Sequence, residues 1–159
     1  MSGIVLIGTD GGRRRLYFEK AAAETGIPVV FLDWKEATDK DYGEDLRRFV
    51  VKIDAPEWES SSLCDLESLT GRYEEQLRRL SGLPAGGFLN RPPEIAQALD
   101  KRGCKAWLAR CGVPVTQMYE EHFSCGEELF DFMREHRIIQ VFVKPVKGSG
   151  AAGVTALRF

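Results

Sequence analysis

The chain has 159 residues, 43% of them hydrophobic and 29% charged, enough apolar material to bury a core in one domain or two small ones. The 22 Lys and Arg against 24 Asp and Glu leave a formal charge of -2, which argues against the sequence-independent phosphate affinity of a basic nucleic-acid binder. No apolar run approaches the roughly 18 residues of a membrane span, and Ile4-Val5-Leu6-Ile7 is too short and lacks the basic flank of a secretory signal, so a cytoplasmic protein is expected.

Residues 4–7 read as a buried strand, followed by Gly8-Thr9-Asp10-Gly11-Gly12, the run Arg13-Arg14-Arg15 and an Ala-rich helix that stops near Gly26. Pro28 and Val29-Val30-Phe31-Leu32 give a second strand ending at Asp33-Trp34. Strand, glycine turn, helix and strand in that order predict a βαβ unit with a parallel sheet. A polar stretch over 41–48 leads to a third strand over 49–53, closed by Asp54-Ala55-Pro56. Ser60-Ser61-Ser62 supply a helix cap, and Leu63, Leu66, Leu69, Tyr73, Leu77 and Leu80 recur at steps of three and four as one apolar stripe, which Gly71 is expected to break or bend. A turn cluster over 82–87 precedes a short strand at Phe88-Leu89, and Asn90-Arg91-Pro92-Pro93 is the strongest boundary signal in the chain.

Beyond it the composition predicts one helix over 94–111, ended by Gly112 with Pro114 after it. A strand is expected over 115–119, then a helix through Phe130, Met133 and Arg137 opened by a capping box of Ser124 and Glu127. Residues 138–144 read as a strand, 146–153 as a glycine-rich loop, and 154–159 as a further strand.

Few residues suggest metal or nucleophile chemistry. Cys64, Cys104, Cys111 and Cys125 are too sparse for a disulfide scaffold or a metal knuckle, and His122 and His136 lack any paired spacing, so no metal site is expected. Gly148, Gly150 and Gly153 match GxGxxG, but the six residues after Gly153 read as strand rather than helix, so the dinucleotide reading of this loop fails. A Walker A loop needs Lys then Ser or Thr after its last glycine, and Val154-Thr155 stand there instead. What remains is strand, glycine loop and strand with Lys144 at the end of the first, a hairpin whose small residues let main-chain N–H groups approach a triphosphate. An ordinary hairpin with a solvated lysine is the alternative.

Five elements in register narrow the choice: Asn90-Arg91-Pro92, Asp100-Lys101, Gly112-Val113-Pro114-Val115, Val143-Lys144-Pro145, and Gly148-Ser149-Gly150-Ala151-Ala152-Gly153-Val154. In these the chain resembles the ATP-grasp superfamily. The resemblance implies an α/β fold, with a Rossmann-like parallel sheet, the pre-ATP-grasp domain, over 1–92 and a small, incomplete α+β ATP-grasp subdomain over 93–159. It further implies that Lys101, Lys144, Lys147, Gly148, Ser149, Gly150 and Gly153 bind ATP phosphates. An Asp beside a lysine on a helix faces elsewhere, so Asp100 is expected to cap or pair locally. The family activates a carboxylate as an acyl phosphate for attack by a nucleophile, which implies ATP, Mg2+ and a small-molecule carboxylate substrate. Its adenine hinge and magnesium ligands would lie beyond Phe159. The chain is therefore expected to be a truncated, inactive portion of a ligase, with catalytic residues outside it and no tight nucleotide binding of its own.

Gly8, Gly11, Gly12, Arg13 and Arg14 lie where a strand meets a helix N-terminus, a natural place for a substrate anion, although Asp10 would repel a pyrophosphate. Two other readings stay open: a stand-alone α/β module binding a small anion or nucleotide, and a nicotinamide site using Asp33, 21 residues after Gly12. The strand edge at the C-terminal end is expected to pair with another copy, giving a homo-oligomer, or to leave the chain mobile from about Val146 onward.

Overall fold

The computed structural model describes residues 3–39, 45–57, 62–148 and 153–158. The chain divides into two compact units, Met1–Leu99 and Asp100–Phe159. They part at Leu99 rather than after residue 92, because the helix that follows Asn90 contributes Leu99 to the core of the first unit. Among the described residues no helix is long and apolar enough to cross a membrane.

In the first unit β1 (Gly3–Gly8), β2 (Val29–Asp33), β3 (Phe49–Ile53) and β4 (Gly87–Phe88) form a parallel sheet in the order β2-β1-β3-β4. The predicted βαβ start is present, with α1 (Arg13–Thr25) joining β1 to β2. That helix ends at Gly26, whose φ of 69° suits glycine, and Ile27 N donates to Ala22 O at 3.0 Å to close the last turn. Strand alternation assigns the two faces. Val5, Ile7, Leu32, Val51 and Ile53 are buried with Tyr73, Leu77 and Leu80 of α3 (Leu63–Leu80) and Leu99 of α4 (Pro92–Leu99). Leu6, Phe31 and Lys52, in register across three strands, point the other way. On that face the Arg15 guanidinium of α1 lies 3.7 Å from the centre of the Phe31 ring, and Lys52 Nζ lies 5.0 Å from that of Phe18. Both faces are covered, as parallel strands require.

After β2 the chain turns directly into a short helix, α2 (Trp34–Asp39), which the sequence reading misses. Trp34 and Ala37 join the core, and the Trp34 ring meets Tyr73 edge-on at 5.3 Å. A single 3-10 turn, Asp45–Arg48, leads into β3. Helix α3 runs through Gly71 without the expected break. The glycine lies on the exposed side, so only its weak helix propensity, roughly 1 kcal/mol, opposes a stripe of buried leucines. Ser62 stands at the N-cap, while Ser60 and Ser61 of the predicted cap lie outside the described residues.

The main chain at the end of β3 is completed by a side chain. Asn90 Oδ1 accepts from Ile53 N at 2.9 Å, and Asn90 Nδ2 donates to Ile53 O at 2.6 Å. The amide thus takes the place of one residue of a neighbouring strand.

The second unit contains α5 (Lys101–Arg110), α6 (Gly126–Glu135) and an antiparallel pair, β5 (Gln140–Val143) and β6 (Thr155–Arg158). The single helix expected over 94–111 is two helices, because Asp100 adopts an extended conformation, φ -81° and ψ 97°, and caps α5. The predicted stop at Gly112 is present, with φ 74° and Val113 N donating to Leu108 O at 3.0 Å. The strand expected over 115–119 has no ladder partner among the described residues. Side chains hold this segment instead: Lys105 Nζ donates to Gln117 O at 3.3 Å, and the Tyr119 and Phe123 rings pack on Phe132 at 5.4 and 5.3 Å. Helix α6 begins one residue later than predicted, with Cys125 at the N-cap, and Glu128 rather than Glu127 reaches back to accept from Ser124 N at 2.7 Å.

Two measurements test this packing. Asn90→Ala leaves both Ile53 main-chain groups without their partner and is expected to lower stability by about 2–3 kcal/mol in urea denaturation; a loss below about 0.5 kcal/mol contradicts the strand-like role. Burial, and then the charge of Asp54, push the Tyr73 phenol up to about 12, against a smaller opposing effect of Arg14. An unfolded tyrosine ionises near 10, so between about 10 and 12 the unfolded chain gives up this proton first and stability falls as pH rises. Tyr73→Phe is expected to flatten that fall, and an unchanged slope contradicts it.

Candidate functional site

Four of the seven predicted phosphate-binding residues gather where α5 begins and β5 ends. Lys101 N donates to Val146 O at 2.9 Å, and Lys101 Nζ donates to Gly148 O at 2.9 Å. Asp100 and Lys147 form an isolated antiparallel bridge beside them. Lys144 directly follows β5, with its ammonium 5.6 Å from the centre of the Phe142 ring. Burial first, and the neighbouring Lys144 second, lower the Lys101 pKa below its ordinary 10.5. Gly148, at φ 125°, and Gly153, at φ 70°, hold conformations that L side chains rarely adopt. Gly153 stands at the far end of the loop, ahead of β6, and Ser149 and Gly150 lie outside the described residues.

Chemically this is a place for a multiply charged anion. Two ammonium groups close enough to repel each other are both stabilised by an anion between them, and positive-φ glycines let main-chain groups approach it. The carbonyls of Val146 and Gly148 accept from Lys101 of the same unit. Asp100 caps α5, as expected of a local role: its Oδ1 accepts from Arg102 N at 3.1 Å and Gly103 N at 3.0 Å.

A second candidate lies in the first unit. With β1 between β2 and β3, the chain reverses its direction of travel across the sheet at β1, and the crevice beyond the ends of β1 and β3 is where such sheets bind ligands. A depression there is lined by Gly8, Thr9, Gly12, Arg14, Arg15, Asp54 and Glu57, among others. It brings together Gly8, Gly12 and Arg14 of the predicted anion residues, whereas Gly11 and Arg13 do not line it. The sequence reading misses Asp54 and Glu57; only the strand order brings the segments after β1 and β3 together. Thr9 Oγ1 accepts from Glu57 N at 2.9 Å, and a side chain at Gly12 would meet Glu57 Oε1 at 3.0 Å. Arg15 pairs with Asp10 and with Glu19, the latter at 2.8 Å. The depression therefore carries both signs of charge. Asp33 is engaged locally, Oδ1 accepting from Lys35 N at 3.0 Å and Oδ2 from Asp10 N at 3.4 Å.

The Lys101 electrostatics can be checked directly. Lys144→Gln removes one of the two effects that depress Lys101, so the pH midpoint for Lys101 acetylation, read by peptide mass spectrometry, is expected to move upward toward 10.5. No movement would mean that the two ammonium groups do not face a common space.

No protein-family model matches this chain, and no curated protein matches it. Among solved structures it is similar to the ATP-grasp ligase PsnB complexed with a minimal precursor, at 17% identity and a TM-score of 0.57, over 99% of this chain and 57% of that one. The same ligase with minimal precursor, Mg and ADP matches at 17% identity and a TM-score of 0.56, over 98% and 56%. With precursor peptide PsnA2 and AMPPNP it matches at 16% and 0.56, over 98% and 57%. The chain spans a little over half the length of these structures, and over that span its mixed α/β architecture is that of an ATP-grasp ligase.

Proposed function

We propose that this chain forms part of an ATP-dependent ligase and that its second unit contributes polyphosphate-binding groups. The observation that carries the reading is the partly buried Lys101 ammonium, hydrogen-bonded to Gly148 O at 2.9 Å at the start of a glycine-rich loop and near Lys144. The ATP-grasp-ligase fold supports it, as do the Mg, ADP and AMPPNP in the PsnB structures. In this reading ATP, with Mg2+, supplies the phosphoryl group that activates a carboxylate. The chain's own residues bind and orient: Lys101 and Lys144 neutralise phosphate oxygens, Lys147 adds charge at the loop, and Gly148 and Gly153 let main chain approach. Positioning and charge neutralisation are most of what phosphoryl transfer asks of a protein.

We assign the small-molecule carboxylate to the depression at the ends of β1 and β3 in the first unit, the pre-ATP-grasp domain in this reading. Arg14 is its cation, and Glu57 suits a ligand that also carries a hydrogen-bond donor or a positive group, while the Asp54 carboxylate is paired with Lys52. We assign the protein to the cytoplasm, with no nucleic-acid or membrane partner.

Calorimetric titration with inorganic triphosphate and with ATP tests the phosphate site. Lys101→Ala and Lys144→Ala are each expected to weaken binding about tenfold or more, the size of one lost charge-assisted contact, while Lys20→Ala on α1 leaves it unchanged. Parent affinity in both lysine variants would refute the assignment.

A further inference from the structure

We propose that Asp100 is a positioning residue for the lysine beside it, and that Gly103 is the residue that gives the Asp100 carboxylate room to act; this rests on the reading of Lys101 as a phosphate ligand. The first N–H groups of a helix have no main-chain acceptor, and an aspartate that takes two of them fixes where the first turn begins. Asp100 does this through Arg102 N and Gly103 N. Lys101 is the first residue of that turn, with its own N–H given to Val146 O. Without the cap the first turn is free to unwind, and Lys101 would no longer be held with its Nζ at Gly148 O, to which it donates at 2.9 Å. The Asp100 main chain also bridges Lys147. One residue therefore sets the start of the helix and its register against the start of the glycine loop.

Gly103 completes the device. A Cβ there would lie 2.6 Å from Asp100 Oδ2 and 3.1 Å from its Cγ, so a side chain makes the carboxylate shift from the position it holds beside Gly103. Glycine is otherwise a poor helix residue, and its presence in the first turn of α5 is accounted for by this contact.

Capping and charge act in opposite directions at this place. The cap aims Lys101, whereas the negative charge repels a polyphosphate. Asparagine caps a helix as well as aspartate does, so Asp100→Asn keeps the geometry and removes the repulsion, and Asp100→Ala removes both.

The experiment is calorimetric binding of inorganic triphosphate to the 159-residue chain, with melting temperature measured alongside. Asp100→Ala is expected to weaken binding about three- to tenfold, the equivalent of one lost cap, while Asp100→Asn binds at least as tightly as the parent. Gly103→Ala is expected to weaken binding like Asp100→Ala although its melting temperature does not fall, an outcome a merely structural glycine would not give. Where Asp100→Ala does not fold, Gly103→Ala decides. Parent affinity in Asp100→Ala and Gly103→Ala, or a loss in Asp100→Asn equal to that in Asp100→Ala, overturns the positioning role. Lys101→Ala separates the two readings: if it loses affinity while Asp100→Ala and Gly103→Ala do not, positioning fails and the phosphate site stands. If Lys101→Ala also retains affinity, or the parent binds no triphosphate, the phosphate reading fails and this inference falls with it.

Discussion

The departure from helical geometry at Asp100 is the constraint on which the loop site of the second unit depends. A continuous helix from Pro92 to Arg110 would satisfy the propensities of nearly every residue in it, yet the main chain turns extended at one position. Breaking a helix exposes N–H groups that must find acceptors, and the Asp100 carboxylate supplies them locally. Its main chain, freed from the helix, can bridge the segment after β5. Without the break, Lys101 would lie in mid-helix with its N–H committed to a carbonyl one turn back, and Val146 would lose its donor.

The first unit follows from a different requirement. Parallel strands collect all their C-terminal ends at one edge, so the loops after β1 and β3 become neighbours although more than forty residues separate them. Polar residues placed there for local reasons then meet. Thr9 turns the chain after β1 and in doing so accepts from Glu57 N. Arg15 is held three ways, by Asp10, Glu19 and the face of Phe31. An arginine so engaged is a wall of the depression more than a free ligand, which leaves Arg14 as the cation better able to answer a carboxylate. Asn90 shows the same economy: it precedes a helix that begins with proline and completes the β3 main chain in the same place.

Much of this was legible from residues whose information is local. Gly26 and Gly112 mark helix ends because a left-handed residue is needed at the position itself, and the βαβ order follows from hydrophobic runs and the turns between them. The order of motifs from Asn90 to Gly153 carries the family resemblance and singles out Lys101 and Lys144, since each motif is short and contiguous. The break at Asp100 was not legible, because an Asp-Lys pair inside an Ala- and Leu-rich stretch is ordinary helix composition and the bridge partner, Lys147, is distant in sequence. The segment from Val115 to Tyr119 has a strand's residues without a strand's partner; its place is decided by Lys105 and Phe132, which periodicity cannot pair with it. Asp54 and Glu57 escaped notice for a related reason. Their relation to Gly8 exists only once β3 is known to lie beside β1.

The near-neutral charge of the whole chain and the cationic character of its loop site are compatible because the electrostatics are local. At a Debye length of about 8–10 Å distant surface charges are screened, whereas burial and Lys144 act on Lys101 directly. A lysine in that position has its charged form disfavoured, and the hydrogen bond to Gly148 O offsets this only in part, since a carbonyl is a neutral acceptor. A phosphate oxygen offers the same ammonium a charged acceptor and shields it from Lys144 as well. Exchanging one for the other requires only a rotation of the Lys101 side chain, because the α5 turn that carries it is already fixed by Asp100. The affinity available to the site is then set by how much repulsion the two lysines relieve on sharing one anion, less the repulsion the Asp100 carboxylate contributes.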